Sequence, residues 1–228
     1  MRTGNVRKKM RELMEKAYAY VEKTLSENNS RHQKVISKTK SFIRYDRFYH
    51  IQRVTAWANR ICDELCDIDR DCLLLASVLH DVGYNAYHIS KDHSEAGVVL
   101  AEQFLTAEGV EEGKKAKILD LIRLHSRKDL MFLEDTPLEL VVLMEADLMD
   151  DMGAAGLVMD AWINTRMHQE ETSFDTIFAH MQKYTQAQQM AEPMRTEPAK
   201  RFWREKQELV QEFMSQFARD LNKESESV

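Results

Sequence analysis

The sequence predicts an all-α protein, a helical bundle, and three observations lead to that prediction. Its 228 residues include only seven glycines and three prolines, so few positions favour tight turns. Leucine, alanine, glutamate, lysine and glutamine are abundant and accompany 13 methionines, and these residues favour helices. Apolar residues recur every three to four positions, which is the period of an amphipathic helix. The 43% apolar content is sufficient for one substantial core.

The first half of the chain contains five predicted helices. Asp69 can cap the third of them, and residues 73–79 are apolar on nearly every side, so this helix should lie at the centre of the bundle. The asparagines and serine at 28–30 should end the first helix. The predicted helices are 7–27, about 46–66, the helix capped by Asp69, 94–108 and 112–126.

The second half of the chain begins with "TPLE" at 136–139, a good helix start with threonine as cap, proline at the first helical position and Glu139 three residues after the cap as its partner. That helix should end near Asp151, where glycines follow. Further helices are predicted at 154–168, 173–190 and 197–222. The apolar stripe of the last helix is read as Phe202, Leu209, Phe213, Phe217 and Leu221.

The chain shows no repeat and no linker long enough to separate two domains. We therefore predict an N-terminal helical extension over residues 1–40 and one compact core over 41–228, including the C-terminal helices. The first helix could mediate formation of a homo-oligomer, but packing on the core is the preferred interpretation.

Charge and hydropathy exclude several classes of protein. A net charge of −6 argues against attraction of the whole protein to nucleic acid or to an anionic membrane. No apolar run approaches the length of a membrane span, and the N-terminal residues lack the pattern of a signal peptide. A cytoplasmic location is expected, and an anionic substrate would need a local positive centre.

Three cysteines, Cys62, Cys66 and Cys72, lie close together in "ICDELCDIDRDC". Their number is odd, and their spacing matches neither a disulfide framework nor a paired CxxC zinc site. We interpret them as buried structural thiols.

Histidine and aspartate residues suited to metal binding occur in separate predicted elements. The six are His50, His80, Asp81, His93, His125 and Asp147. Imidazole and carboxylate bind zinc, iron, manganese and nickel, and metal sites in helical bundles use side chains from several facing helices. The pattern predicts a metal site between central helices. Taken singly, each residue could instead be a satisfied core histidine or part of a solvated acidic face.

The adjacent pair His80 and Asp81 follows the apolar segment and precedes Gly83. Consecutive helical residues point about 100° apart, so both side chains could serve one metal only where the helix ends and the backbone turns. A charged group at the end of such an apolar helix costs several kcal/mol unless it is paired or bound to a metal. We therefore predict that His80 and Asp81 are two metal ligands at the end of a rigid apolar helix.

These residues resemble the signature of the HD-domain superfamily of metal-dependent phosphohydrolases: a histidine, a His-Asp pair and a distant aspartate. The resemblance covers about residues 46–156. The spacings from His50 to His80 and from Asp81 to Asp147 are similar to those of the family. The strings "RV" after the first histidine and "ADLMDDMGAAGL" around the last aspartate match as well. The tail "TEPAKRFWREKQELVQEFMSQF" resembles the closing helix of small bacterial members.

The resemblance implies a role for each residue and a divalent metal cofactor. The implied ligands of the principal metal are His50, His80, Asp81 and Asp147. His93 and His125 resemble the two additional histidines of dinuclear members, in which Asp81 would bridge two ions and could also accept a proton in catalysis. One or two ions of iron, manganese, zinc, nickel or magnesium would fit, and the sequence leaves the identity open.

Several neighbouring residues could support the site. Asp46, one helical turn before His50, could orient a ligand imidazole or simply cap the helix. Lys91 and Lys128, the last beside Arg127, could contact a substrate phosphate, with solvated loop charges as the alternative. Arg53 resembles the family's arginine after the first histidine and could either face the substrate pocket or pair with a carboxylate.

The sequence also departs from the family at two positions. Tyr84 and Leu148 stand where the family often has lysine and arginine, and no GYP motif follows His125. Two phosphate contacts are thus missing, and a cyclic dinucleotide substrate is disfavoured.

The expected function is hydrolysis of a phosphate ester or anhydride in a nucleotide or another small phosphorylated metabolite, by metal-activated water. Two alternatives remain open. A di-iron oxygenase would use a similar ligand set and would consume dioxygen. A non-catalytic nucleotide-binding signalling module is disfavoured, because the ligand set is complete.

Overall fold

The computed structural model describes residues 2–36, 47–186 and 192–223. Within these ranges the chain forms nine α-helices and no strand, which confirms the all-α prediction. The helices are α1 (Arg2–Ile36), α2 (Arg47–Cys62), α3 (Arg70–Leu79), α4 (His93–Ala107), α5 (Glu112–Leu124), α6 (Leu138–Asp150), α7 (Ala154–His168), α8 (Phe174–Met181) and α9 (Glu197–Asp220). A π-helical turn, Gln182–Gln186, follows α8. No helix in the described ranges is both long enough and apolar enough to cross a bilayer.

The chain divides into two compact units, Met1–Ala146 and Asp147–Val228. In the first unit α3 contacts α1, α2 and α5, and α4 packs on α5. Leu73, Leu75 and Leu79 of α3 are fully buried, because this helix is apolar on nearly all sides. The sequence-based placement of this segment at the centre is therefore confirmed within the first unit.

Helix α3 begins as predicted, because Oδ1 of Asp69 accepts a hydrogen bond from the Cys72 backbone N–H at 3.1 Å. Helix α2 ends at Cys62, four residues earlier than expected, and Asp67 in the following connection adopts a φ of 57°. The backbone N–H groups of Glu64 and Leu65 donate to the carbonyls of Ile61 and Cys62, three residues earlier, so the α-helical bonding pattern is lost and the predicted extension to residue 66 is wrong.

The cysteine interpretation holds for two of the three thiols. Cys62 and Cys72 are buried, and burial raises the pKa of the Cys72 thiol to about 12. Cys66 is exposed, because it lies beyond the end of α2 rather than on its apolar face. The prediction of a buried thiol is therefore wrong at this position.

Helix α1 runs through residues 28–30 to Ile36, although the sequence predicted that it would end there. Asn28 is only 2% exposed, and its Nδ2 donates hydrogen bonds to the carbonyls of Val82 and Tyr84, each at 3.3 Å. Asn29 Oδ1 accepts a third bond from Asn85 Nδ2 at 2.8 Å. These polar side chains bind a distant loop instead of ending their own helix. The loop that follows the His-Asp pair is thus held by α1.

Replacing Asn28 with alanine is expected to lower the free energy of unfolding by about 1–3 kcal/mol, because the carbonyls of Val82 and Tyr84 lose a buried donor. Urea denaturation followed by circular dichroism would measure the change. Ser26→Ala, at an exposed position of the same helix, is the matched control and should stay within about 0.5 kcal/mol of the wild type. A loss no larger than that of the control would contradict the role given to Asn28.

Helix α6 begins at Leu138, directly after the "TP" of the predicted start. Glu139, however, does not serve as the local cap partner. Its Oε1 accepts hydrogen bonds from the Lys117 ammonium and from the Asp69 backbone N–H, both at 2.8 Å. Glu139 therefore links the starts of α3 and α6 to α5 within the first unit.

In the second unit α7 contacts α8 and α9. The apolar stripe predicted for the last helix is wrong by one position, since Leu209 and Phe213 are 46% and 41% exposed. The buried residues of α9 are Pro198, Ala199, Trp203, Val210 and Met214. Adjacent helical residues point about 100° apart, so a stripe chosen by its large aromatic residues can miss the face that is actually buried.

Candidate metal centre

Asp81 lies at the centre of a group of four histidines in the first unit. It follows the last turn of α3 and is completely buried. Its Oδ2 lies 3.4 Å from His80 Nε2 and 3.6 Å from His50 Nε2. Its Oδ1 lies 3.5 Å from both His93 Nε2 and His125 Nε2. Five of the six sequence-predicted ligands are therefore brought together around one carboxylate.

The separations around Asp81 suit atoms that bind a common cation. Two ligand atoms that each lie about 2.1 Å from an ion are roughly 3.0–3.4 Å apart at octahedral or tetrahedral angles. The observed distances of 3.4–3.6 Å are close to that range. Both carboxylate oxygens are buried, and Oδ2 is also contacted by Arg47. One pair of histidines faces each oxygen, so the carboxylate could bridge two ions.

His80 and His125 have their ring orientation fixed by the backbone. His80 Nδ1 lies 2.7 Å from the carbonyl oxygen of Ser77, and His125 Nδ1 lies 2.6 Å from that of Ile122. A carbonyl can only accept, so each Nδ1 carries the proton and donates it. Each Nε2 is then left with the lone pair that metal binding requires. Both residues stand immediately after the last helical residue, where helix carbonyls lack intrahelical donors.

The charge on Asp81 is maintained by its surroundings. Burial alone would raise the pKa of this carboxyl, but the Arg47 guanidinium and the neighbouring imidazoles hold it well below its usual range. Arg47 Nε makes a direct ion-pair contact with Asp81 Oδ2. Asp81 is therefore ionised at neutral pH, which is the state that a metal ligand needs.

His93 is the first residue of α4, and its side chain is 38% exposed, the most open of the four histidines. Burial is the main cause that lowers the pKa of this imidazole, so it is neutral at pH 7. Ser126 Oγ lies 3.2 Å from the Nε2 atoms of both His93 and His125. The hydroxyl of Ser126 thus joins the two histidines that face Oδ1.

Asp147 and Asp46 are the other two residues predicted to complete or support the site. Asp147 lies on α6, is half-buried and is the first residue of the second unit. Asp46 lies outside the described residues. Their roles as ligand and as supporting group stay predictions.

The residues predicted to contact substrate have different environments. Arg53 is half-buried, one helical turn after His50 on α2, and Lys91 is exposed in the loop before α4. Lys128 Nζ donates to the carbonyls of His125 and Met144, at 3.0 and 3.4 Å. The Lys128 ammonium therefore ties α6 to the end of α5.

Arg127, by contrast, makes a two-pronged pair with the exposed Asp129, with contacts at 2.9 and 2.7 Å. The Arg127 guanidinium therefore pairs with a carboxylate of its own loop.

Arg47 and Ser126 were not predicted from the sequence as residues of this site. Arg47 stands three positions before His50, so the two share a helix face, and this spacing was a usable signal. Ser126 directly follows His125, but a lone serine after a histidine carries no diagnostic pattern.

Comparisons with known proteins agree with this architecture. Residues 47–152 match the family model described as the HD domain. No curated protein matches the chain at a significant level. Solved structures share the fold as well, and three of them serve as examples. A predicted HD superfamily hydrolase from an uncultured Thermotogales bacterium is 20% identical, with 91% of this chain and 92% of that chain covered and a TM-score of 0.58.

The second is YpgQ of Bacillus subtilis in complex with ADP, which is 18% identical, with coverage of 88% and 96% and a TM-score of 0.57. The third is Lin1889 of Listeria innocua, also 18% identical, with coverage of 89% and 97% and a TM-score of 0.57. Nearly the whole of each structure is matched.

Proposed function

Because residues 47–152 are an HD domain and the chain thereby belongs to the HD-domain superfamily, we propose that it is a phosphohydrolase whose substrate is a nucleotide or another small phosphorylated metabolite. One observation carries the proposal. Four imidazole Nε2 atoms lie within 3.4–3.6 Å of the oxygens of a single buried carboxylate, Asp81. Imidazoles and a carboxylate are the ligands of divalent transition metals, and the family is one of metal-dependent hydrolases.

The ligands divide into two sets that share Asp81. His50 and His80 would hold a principal ion beside Oδ2, and His93 and His125 would hold a second beside Oδ1. This division is supported by the pairing of the histidines with the two oxygens. A carboxylate between two cations is a common bridge in two-metal hydrolytic sites.

Asp147 completes the ligand set of the principal ion in this proposal. The support comes from the first part of α6. Met144 of that helix accepts a hydrogen bond from Lys128, and Lys128 also donates to the carbonyl of His125. Asp147 follows Met144 by three residues on the same continuous helix, so it shares a face with it.

A divalent metal in this site would supply the Lewis acidity that makes water nucleophilic at neutral pH and withdraws charge from a phosphoryl group. The chain's own residues prepare the site for that chemistry. The backbone carbonyls of Ser77 and Ile122 hold the Nδ1 protons of His80 and His125, which keeps the opposite nitrogens unprotonated. Asp81 is the candidate proton acceptor, as the family resemblance implies.

The substrate would lie on the open side of the cluster, beside His93. A cavity of about 90 Å³ there is lined by Tyr84, Tyr87 and Lys91. Its volume equals that of roughly three water molecules, so it suits one small polar group. Lys91 could bind a phosphate oxygen there, and Arg53 and Lys128 remain further candidates. The ADP bound to Bacillus subtilis YpgQ supports a nucleotide as the class of substrate.

Elemental analysis and a phosphatase panel would test the function. Protein purified without a nickel column is expected to contain about one or two equivalents of a divalent metal, as a two-set site requires. It should release phosphate from at least one nucleotide or small phosphate ester, and a chelator should abolish this release until metal is restored. Release that survives complete removal of metal would reject the proposal.

The same panel separates hydrolysis from the oxygenase alternative. Two pairs of histidines about one bridging carboxylate also suit a di-iron centre, which would consume dioxygen. Iron content with oxygen uptake and no phosphate release would assign the chain to the oxygenases instead. A redox-inert zinc or magnesium centre with phosphate release would exclude them.

A further inference from the structure

Arg47 places a second positive group at the oxygen proposed to bind the principal metal. It is the first residue of α2, one helical turn before His50. Its Nε contacts Oδ2 of Asp81, and its guanidinium carbon lies 4.6 Å from the centre of the Tyr84 ring. The Arg47 side chain is 23% exposed, whereas Asp81 is completely buried. One end of the guanidinium thus reaches the buried carboxylate while the side chain keeps contact with the solvent side.

A guanidinium and a divalent ion cannot both hold this oxygen closely. Oδ2 already has His50 and His80 as neighbours, and an ion bound among these three would approach the same oxygen that Arg47 Nε now contacts. Two cations at that separation repel each other strongly in a poorly solvated site. In the absence of metal, however, a buried carboxylate needs a compensating charge. Arg47 supplies that charge.

We propose that Arg47 competes with the metal for Asp81 and, once displaced by it, binds the phosphoryl oxygens of the substrate. The second half of this inference rests on the proposed hydrolase function, and the first half does not. Displacement needs only a movement of the arginine side chain, because the Arg47 side chain is already partly exposed to solvent. Tyr84 offers an aromatic face on which the displaced guanidinium can remain.

The chemistry of arginine suits the second role. A guanidinium presents several N–H donors in a fixed planar fork that matches the oxygens of a phosphate group. Tyr84 and His93 both line the cavity of about 90 Å³ beside the cluster, so an arginine stacked on Tyr84 stands at the edge of the space proposed for substrate. Arg47 would therefore provide a positive contact from the chain itself, in addition to the metal.

Calorimetry on Arg47→Met and Arg47→Lys tests both halves. Manganese binding to the metal-free protein should become about tenfold tighter or more in Arg47→Met, since the competing cation is gone. Binding of inorganic phosphate to the manganese-loaded form should become at least about tenfold weaker, because a charged hydrogen-bond donor is lost. Opposite changes in the two affinities would not follow from a general loss of structure.

Two further variants keep the test decisive. Arg47→Lys retains the charge without the planar fork, so its manganese affinity should stay near that of the wild type while its phosphate affinity falls. Arg60→Met is the matched control, because Arg60 is an exposed arginine of the same helix that also stacks on an aromatic ring, that of Trp57 at 4.8 Å. Its two affinities should not change.

The outcomes separate this inference from the proposed function. Unchanged manganese affinity in Arg47→Met would overturn the competition, and unchanged phosphate affinity would overturn the substrate contact. Neither measurement depends on turnover. If no substrate were hydrolysed but the manganese affinity rose as expected, the hydrolase proposal would fail while the competition between Arg47 and metal would stand.

Discussion

Asp81→Asn is expected to lose bound metal and hydrolytic activity together. The amide is neutral and cannot bridge two cations, although its shape keeps the packing of this fully buried position. A metal contributes several kcal/mol to the stabilisation of charge in a transition state. Since each 1.36 kcal/mol corresponds to a factor of ten, kcat/KM should fall by about a thousandfold or more. Elemental analysis and initial rates on a substrate identified in the panel would measure the two losses.

Asp71→Asn is the matched control for this variant. Asp71 lies on the same helix, α3, and pairs with Lys114 at 3.4 Å at the surface of the first unit. It should keep its metal and its activity. Full metal content in Asp81→Asn, with turnover equal to that of the control, would remove Asp81 from the centre of the site.

Gly83→Ala is expected to prevent the first unit from folding stably. A Cβ at position 83 would lie 2.2 Å from the carbonyl oxygen of His93 and 2.3 Å from the backbone N of Gly97. Both are backbone atoms of α4, so no flexible side chain can move aside. We expect a destabilisation of more than about 4 kcal/mol, seen as a loss of soluble protein or a large fall in Tm.

Gly113→Ala provides the comparison for a glycine without this constraint. The nearest atoms to a Cβ there belong to the flexible side chain of Glu111, at 3.2 and 3.3 Å. Gly113 lies in α5, where alanine is the better helix former, so the change should be neutral or stabilise the protein by up to about 1 kcal/mol. Equal stability of Gly83→Ala and Gly113→Ala would refute the close contact between the loop after Asp81 and α4.

Much of the fold was accessible from local patterns. The period of apolar residues predicted the helices, and the apolar segment at 73–79 correctly identified the centre of the first unit. The predictions were wrong where long-range contacts determine the helix boundaries. Helix α1 continues past Asn28 because that side chain binds a loop more than fifty residues away, and no local pattern reveals this partner.

The candidate site was accessible for a different reason. His80 and Asp81 are adjacent in sequence, and the order of the remaining histidines resembles a known signature, so their convergence could be expected. Residue type alone does not distinguish Arg47 from the other arginines, and its position three residues before His50 indicates only that the two share a helix face. Its importance comes from a contact with a carboxylate on another helix, which only the folded chain displays.

The carbonyl groups that hold His80 and His125 belong to the main chain, three residues before each imidazole. The position of the proton on these two rings is therefore determined by the helix backbone and does not depend on the side chains of Ser77 and Ile122. Substitutions at positions 77 and 122 that preserve the helices should therefore leave both imidazoles able to bind a metal ion. The orientation of these two metal-binding rings thus depends on backbone carbonyl oxygens, which every amino acid supplies in the same form.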